Sequence, residues 1–414
     1  MKLDTAQKSW VAYDMANAAY ALIVRTVFAA IFFKYCADGI WGKENTTAYW
    51  GYICSLAGIA AGAVSITLGF FADKHNCKKK YLAFFVLAGV LATAGTAFVQ
   101  QGMAWWVLGL SFISLGCYMS ANSFYDSLLI AAAPVSLRDK LSSFAYACGY
   151  VGGVIPFIPC LVLSFLMSDK IMAIRYSFFI AAFWWLLLTL PMLFLLKEKK
   201  ENTERDRSLN FVSNFKELLK NRNVLLFLVA YFLYIDGVGT IYTMASPIAA
   251  DIGITTPQLL AVILGLQFLA FPCTLFYGRL SDRFHPRNLV LAAIGIYVLI
   301  SLLALLLAIP LFKEYRLGIF ITLAVLIGTS QGGIQSLSRS LFSRIVPADK
   351  AAEFYGFYNL FGKFTTIVGP LLVGMATALW GKAELGIAFL AVPFLAGGYL
   401  LTKVDFSTEG NKTP

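Results

Sequence analysis

The sequence predicts an all-α polytopic membrane protein, with twelve transmembrane helices in two pseudo-symmetric six-helix bundles. Three observations carry this expectation: an extreme apolar composition, twelve long apolar runs split by one polar segment, and two motif blocks that recur in the second half. Of 414 residues, 59% are apolar and 13% charged, and the mean hydropathy is +0.74. Water-soluble globular chains run about 45–50% apolar and about 25% charged, so soluble enzymes and disordered chains are excluded. A spanning helix takes roughly 20 apolar residues, so twelve consume about 240 and leave short loops.

The runs fall near 12–36, 50–72, 81–100, 104–131, 141–167, 174–196, 224–249, 257–280, 288–310, 317–343, 353–379 and 384–403. The one substantial break, "KEKKENTERDRSLNFVSNFKELLKNRN", divides them six and six. The expected organisation is an N-terminal bundle over 1–196, a cytoplasmic linker over 197–223 and a C-terminal bundle over 224–414. From Ser208 the linker places Leu209, Val212, Phe215, Leu218 and Leu219 at helical spacing, which suits an amphipathic helix on the membrane surface. A solvated linker is the alternative.

The net charge is +11, and its distribution gives it a topological meaning rather than a nucleic-acid one. Alternate loops, both termini and the linker hold 23 of the 33 basic residues, and the opposite loops hold seven. By the positive-inside rule both termini are cytoplasmic, and the expected location is the plasma (inner) membrane. The first apolar run carries Asp14, Asn17 and Arg25, which does not fit a cleaved signal peptide. Seven scattered cysteines without a CxxC pair, and two histidines in basic loops, give no disulfide framework and no zinc spacing. No metal and no cofactor are expected. Aromatic "AWW" (104–106), where a span begins, reads as an interface belt, and "FWW" (183–185), nearer mid-span, as core packing.

Internal repetition is the strongest signal. Gly69, Asp73 and Lys74 in "GFFADKHNCKKK" match Gly278, Asp282 and Arg283 in "GRLSDRFHPRN" at an offset of 209. Further on, "NSFYDSLLIAAAP" and "QSLSRSLFSRIVP" share Ser123/Ser336, Ser127/Ser340, Leu128/Leu341 and Pro134/Pro347 at an offset of 213. Two halves related by repetition are a transporter signature. A small residue at a helix end lets a neighbour approach closely, and a carboxylate there can meet that neighbour's N-terminal dipole. The block therefore reads as a latch that holds one state of a rocking protein; ordinary basic loops are the plainer reading.

The Gly-x-x-x-Asp-Lys/Arg block resembles the loop motif of the major facilitator superfamily, and the six-plus-six layout agrees with it. "YDMANAAYA" (13–21) is similar to the "YDWANSAYA" opening of that superfamily's vacuole-effluxer-like family, the autophagy-related amino-acid effluxers. "FYDSLL" (124–129), "GYVGG" (149–153), "YIDGVGTI" (234–241) and "EFYGFYNLFGK" (353–363) resemble further blocks of the family, in order. Met15 stands where the family usually has Trp, Ala18 where it has Ser, and Ile130 where Pro follows "FYDSLL". The resemblance implies the major facilitator fold and export of small solutes, usually amino acids.

Six charged residues fall inside apolar runs: Asp14, Arg25, Asp126, Asp236, Arg339 and Lys363. Each costs about 2.5–3.5 kcal/mol to insert, so it pairs or faces a wet cavity. Their charges sum to zero, which suggests mutual pairing in at least one state. Asp14 lies near the polar N-terminus and reads either as interfacial or as a cavity group. Arg25, about 16 Å further along the helix, is too deep for an anchor and suits a substrate carboxylate or phosphate; a structural ion pair is the alternative. Asp126 and Arg339 are repeat-equivalent with opposite sign, forming either a bridge across the pseudo-two-fold axis or, preferably, two separate structural pairs. Lys363 is placed to meet a carboxylate of the other half. Asp236 sits in "DGVGT", whose glycines predict a broken helix lining the cavity, and it is expected to bind substrate or carry the coupling proton. Among neutral residues, Asn17 is the best candidate for a substrate contact and Asn359 a further site residue; Asn122, Gln267 and Gln331 read as helix–helix glue.

The expected function is secondary active transport of a small solute, an amino acid or similar zwitterion or anion, by alternating access. Export coupled to protons is expected, with Asp236 or Asp126 as the proton carrier. No P-loop GxxxxGK[ST] supports ATP-driven transport, and no HExxH, GxSxG or CxxC supports an enzyme. The alternative is a lysophospholipid or other amphipathic-lipid transporter of the same fold; a non-transporting membrane sensor is more remote. The expected partners are the solute, protons and membrane lipids, with no nucleic acid, and the chain is expected to be a monomer.

Overall fold

A computed structural model describes residues 3–41, 43–198, 221–251, 253–254, 256–364, 369, 373 and 383–406. The amphipathic helix expected from Ser208 lies outside the described residues. The helices, in chain order, are α1 (Thr5–Ala37), α2 (Lys43–His75), α3 (Lys78–Thr96), α4 (Ala104–Ala132), α5 (Val135–Leu166) and α6 (Lys170–Leu195), followed by α7 (Arg222–Asp251), α8 (Thr256–Leu280), α9 (Pro286–Ala308), α10 (Arg316–Ile345), α11 (Ala351–Phe364) and α12 (Leu385–Thr402). Among the described residues ten are long and apolar enough to cross a membrane. The other two are α3, whose first turn is three lysines, and α11, whose run continues into residues outside the description.

Caps and lipid-facing surface follow from composition. Asp4 and Gln7 form a reciprocal capping box at the start of α1, and Asp169 caps α6. Large apolar side chains such as Phe165, Leu166 and Phe194 are more than three-quarters exposed, as a hydrocarbon solvent allows. Trp105, at the start of α4, packs against Trp41 and Tyr49 with ring centroids 4.9 and 5.8 Å away. In "FWW", Trp185 is fully buried whereas Phe183 is exposed, so only part of that string is core.

The chain forms two compact units whose membership does not follow the six-plus-six order. Unit 1 is Met1–Pro134, Cys148–Leu209 and Pro347–Leu360; unit 2 is Val135–Ala147, Asn210–Val346 and Phe361–Pro414. Each unit thus takes in one short segment from the other sequence half. The two segments are repeat-equivalent: each follows the matched proline, Pro134 or Pro347, and they correspond at the offset of 213.

Within unit 1, α1 packs on α6 and on the second part of α5. A Cβ on Gly152 would lie 2.4 Å from the Met15 Cβ, and Ala18 faces Gly149 and Gly153. The "GYVGG" string is therefore the seat for α1, and the departures at Met15 and Ala18 concern helix packing. Tyr20 donates to or accepts from Ser114 at 2.7 Å, and Ser114 is linked to Thr93 at 2.7 Å. Such hydroxyl links satisfy polar groups between spans.

Within unit 2, α7 differs from expectation. It is a continuous helix through "DGVGT", because Gly237 serves packing rather than a break. A Cβ there would meet the Phe394 ring of α12 at 2.5 Å, so close approach of α7 and α12 selects glycine. We expect Gly237→Ala to lower the thermal midpoint of the purified protein through overpacking of about 1–3 kcal/mol. Adding Phe394→Ala should recover part of that loss, giving a non-additive double-mutant cycle. Additive losses would mean that the ring is not what excludes the methyl group.

Candidate functional site

The site in unit 1 is built on one face of α1 and one face of α4. Trp10 stacks on Tyr125 at 4.6 Å and donates its indole N–H to the Tyr125 carbonyl. Tyr13 lies 4.6 Å from Tyr125, and Tyr20 stacks on Tyr118 at 4.6 Å. Positions 10, 13, 17 and 20 share one helical face, as do 118, 122 and 125. The ring pairs set an antiparallel register that puts Asn17 opposite Asn122. Asp14 is buried (6% exposed) one turn before Asn17. The Tyr118 phenol interacts electrostatically with Arg25 and Asp14 and contacts the Asn122 side chain.

Arg25 is presented by an irregularity that sequence reasoning missed. Residues Ala21–Phe28 form a π-helical stretch, held by the Thr26 hydroxyl donating to the Ala21 carbonyl five residues back. The wider turn breaks the buried stripe: Leu22, Ile23, Val24 and Phe28 are buried, whereas Arg25 and Thr26 are exposed. Such bulges often mark functional positions. No pattern at the period of 3.6 announces one. The guanidinium also interacts with Tyr20 and with Cys54 of α2.

Further along α4, Asp126 accepts a hydrogen bond at 3.0 Å from the Asn359 amide of α11, which also donates to the Tyr355 carbonyl. Arg339 belongs to unit 2. It is 2% exposed, donates to the Ser142 hydroxyl at 2.9 Å and the Ser142 carbonyl at 3.2 Å, and lies 4.3 Å over the Tyr146 ring. These contacts of Asp126 and Arg339 each lie within a single unit. Asp236, 2% exposed, accepts the Gly369 N–H at 3.1 Å. The side chain of Lys363 lies outside the described residues.

The matched loop blocks occupy equivalent places but use different chemistry. In unit 1, Asp73 is buried and accepts the N–H groups of Ala352 and Glu353, at 3.1 and 2.9 Å, at the start of α11. A Cβ on Gly69 would come within 2.8 Å of the Ala352 carbonyl oxygen, so glycine is required. Lys78 also reaches Asp73, at 3.0 Å. In unit 2, Gly278 is seated against Ser143, where a Cβ would meet the Ser143 Cβ at 2.8 Å. Asp282, however, is half exposed and pairs with Lys140 at 2.7 Å, and Arg283 is exposed in the turn.

Unit 2 holds its incoming segment with other groups. Arg138 donates to the Ser343 carbonyl at 2.9 Å, Asp139 accepts from Ser340 at 2.5 Å and pairs with Arg344, and Ser142 donates to the Ser336 carbonyl at 2.8 Å. The available sequence signal was the pair of serine-rich runs flanking the matched prolines, "LRDKLSS" and "QSLSRSLFS".

Comparison with known proteins fits this architecture. The model of the family described as "Vacuole effluxer Atg22 like" matches residues 36–133 and 131–412. An uncharacterized MFS-type transporter of Bacillus subtilis (strain 168), YxiO, is 36% identical over all of both chains. Autophagy-related protein 22 of Coccidioides immitis (strain RS) is 24% identical over 95% of this chain and 78% of its own length. Among solved structures, the proton:xylose symporter XylE superposes with TM-score 0.76 at 12% identity, over 96% of this chain and 95% of XylE. FucP, in an outward conformation, does so with TM-score 0.73 at 14% identity, over 97% and 98%. At those identities the two structures speak for the fold alone. The family match across nearly the whole chain and the full-length relative place this protein in the Atg22-like vacuole-effluxer family, a membrane-transporter family with the major facilitator fold.

Proposed function

We propose that this chain is a secondary active transporter that exports a small solute, an amino acid or a similar zwitterion or anion, by proton-coupled alternating access. One observation carries the reading. Within a single membrane helix, α1 presents a buried carboxylate and an exposed guanidinium that both act on the Tyr118 phenol of α4, which also contacts the Asn122 amide. Lipid penalises each charge by about 2.5–3.5 kcal/mol, whereas a water- and solute-filled cavity does not. Arg25 supplies the forked donor suited to a carboxylate. The family's description as effluxers supports the direction, and the basic loops support both termini on the cytoplasmic side of the plasma membrane.

Asp73 acts as the conformational latch: its two N–H contacts exist only while the 347–360 segment lies on α2, so moving that segment breaks them together. Asp236 is the proton carrier. Neutralising it removes the charge that the Gly369 N–H serves, and this links protonation to α7 and the segment that follows α11. The protein acts as a monomer, because both repeats are in one chain.

In proteoliposomes loaded with a mixed amino-acid pool, we expect purified protein to accelerate release of some members, faster when a pH gradient drives it. Asp236→Asn should abolish the gradient's effect while leaving the protein folded; an intact pH dependence would remove Asp236 from coupling. Lysophospholipid movement without amino-acid flux would establish the alternative substrate class. For the latch, Asp73→Ala loses two charge-assisted hydrogen bonds, each worth about 1.5–3 kcal/mol. Maleimide labelling of Ala352→Cys, a buried position, should then speed up by at least about tenfold. Equal labelling rates with and without Asp73 would show that the contact is not what keeps this segment closed.

A further inference from the structure

Two amide oxygens at the α1–α4 seam serve none of the contacts that hold the two helices together. The side-chain carbonyl oxygens of Asn17 and Asn122 are both shielded from solvent and have no hydrogen-bond partner. A buried unpaired acceptor is expensive, and in native proteins such atoms usually mark a ligand, an ordered water or stored strain. Their placement favours a ligand. Tyrosine rings fill the seam on either side of them, Tyr20 on Tyr118 and Tyr13 on Tyr125. The much shorter asparagines stand at the level between, on the same two faces. Asp14 lies one helical turn from Asn17, and its charge reaches Tyr118 on the facing helix. Asn122 also touches Tyr118, which orients its amide.

We propose that Asn17, Asn122 and Asp14 form a subsite for a small monovalent cationic group. Two amide oxygens and a carboxylate offer only acceptors, so the complementary ligand is an N–H-bearing ammonium or an alkali cation. A transferable proton is a poorer match, because an amide oxygen does not take one at neutral pH. Arg25 contacts the same phenol from the other direction, so the anionic and cationic ends of one solute would meet opposite charges on either side of Tyr118. The inference rests on the transport reading and deepens it. It adds Asn122 to the site, and it leaves two sources for the cation: the solute's own ammonium or a co-transported Na+.

The test uses the full-length purified protein and its Asn17→Leu and Asn122→Leu variants, with thermal stability as the readout. The probes are NaCl against choline chloride, and L-leucine against 4-methylpentanoate, which lacks the amine. Stabilisation by Na+ over choline that weakens about tenfold in midpoint concentration in both variants assigns the subsite to a free ion. Stabilisation by L-leucine but not by 4-methylpentanoate, lost in the same way, assigns it to the solute's ammonium. Leucine branches at Cγ as asparagine does, its larger bulk fits a space that takes a ligand, and it leaves no unpaired acceptor, so the unliganded variants should be at least as stable as the parent; a loss of stability would point to structural glue and overturn the proposal. Variants that respond to either probe as the parent does would also overturn it. So would a parent that transports a solute in vesicles yet responds to neither probe, and this result would leave the transporter reading standing. A parent that moves nothing would overturn both.

Discussion

A buried carboxylate that takes two main-chain N–H groups from a distant helix is the contact that ties the 347–360 segment to α2 in unit 1. Asp73 ends α2 and caps the start of α11, some 280 positions later in the chain. The first N–H groups of a helix have no partner within it, and its dipole favours an anion there. Capping them with a side chain from another helix joins the two elements without burying new apolar surface. Gly69, one turn earlier, lets the backbones come close enough. Such a contact is short-ranged and all-or-none, which suits a part that must be made and unmade.

The repeat-equivalent contact in unit 2 solves the same problem differently. Asp282 stays at the surface and reaches Lys140, and the load passes to Arg138, Asp139, Ser142, Tyr146 and Arg339. An exposed ion pair is worth about 0–1 kcal/mol, whereas buried hydrogen bonds to a charged group are worth about 1.5–3 kcal/mol. The two exchanged segments therefore hold with different chemistry, despite starting at matched prolines. The two segments keep equivalent placements while the side chains that secure them differ.

How much could be read from residues alone depended on the range of the physics. Spans and repeat blocks rest on local hydropathy and on identity at a constant offset, so they were legible. The broken α7 was a local-propensity argument: glycines weaken an isolated helix, but at Gly237 the deciding factor is the Phe394 ring of α12. Arg25 was recognised as too deep for an anchor, yet the π-helical turn that exposes it leaves no trace in the 3.6-residue period. Asn122 reads as helix–helix glue in the sequence because the groups around it, Asn17 and Tyr118, are brought there by packing across a seam rather than by sequence spacing. Lys74 was matched by the repeat, and Lys78 also reaches Asp73.

For Asp73 to latch one state, segment 347–360 must leave α2 during the working cycle. Spin labels at His75 and Pro347, both in unit 1 and both exposed, allow that distance to be measured in lipid by pulsed electron resonance. The account predicts two populations, the shorter one corresponding to the structure described above, and an exchange between them when the pH or the solute concentration is changed. It also predicts that Asp73→Ala raises the longer population. A single short distance under every transporting condition would contradict it.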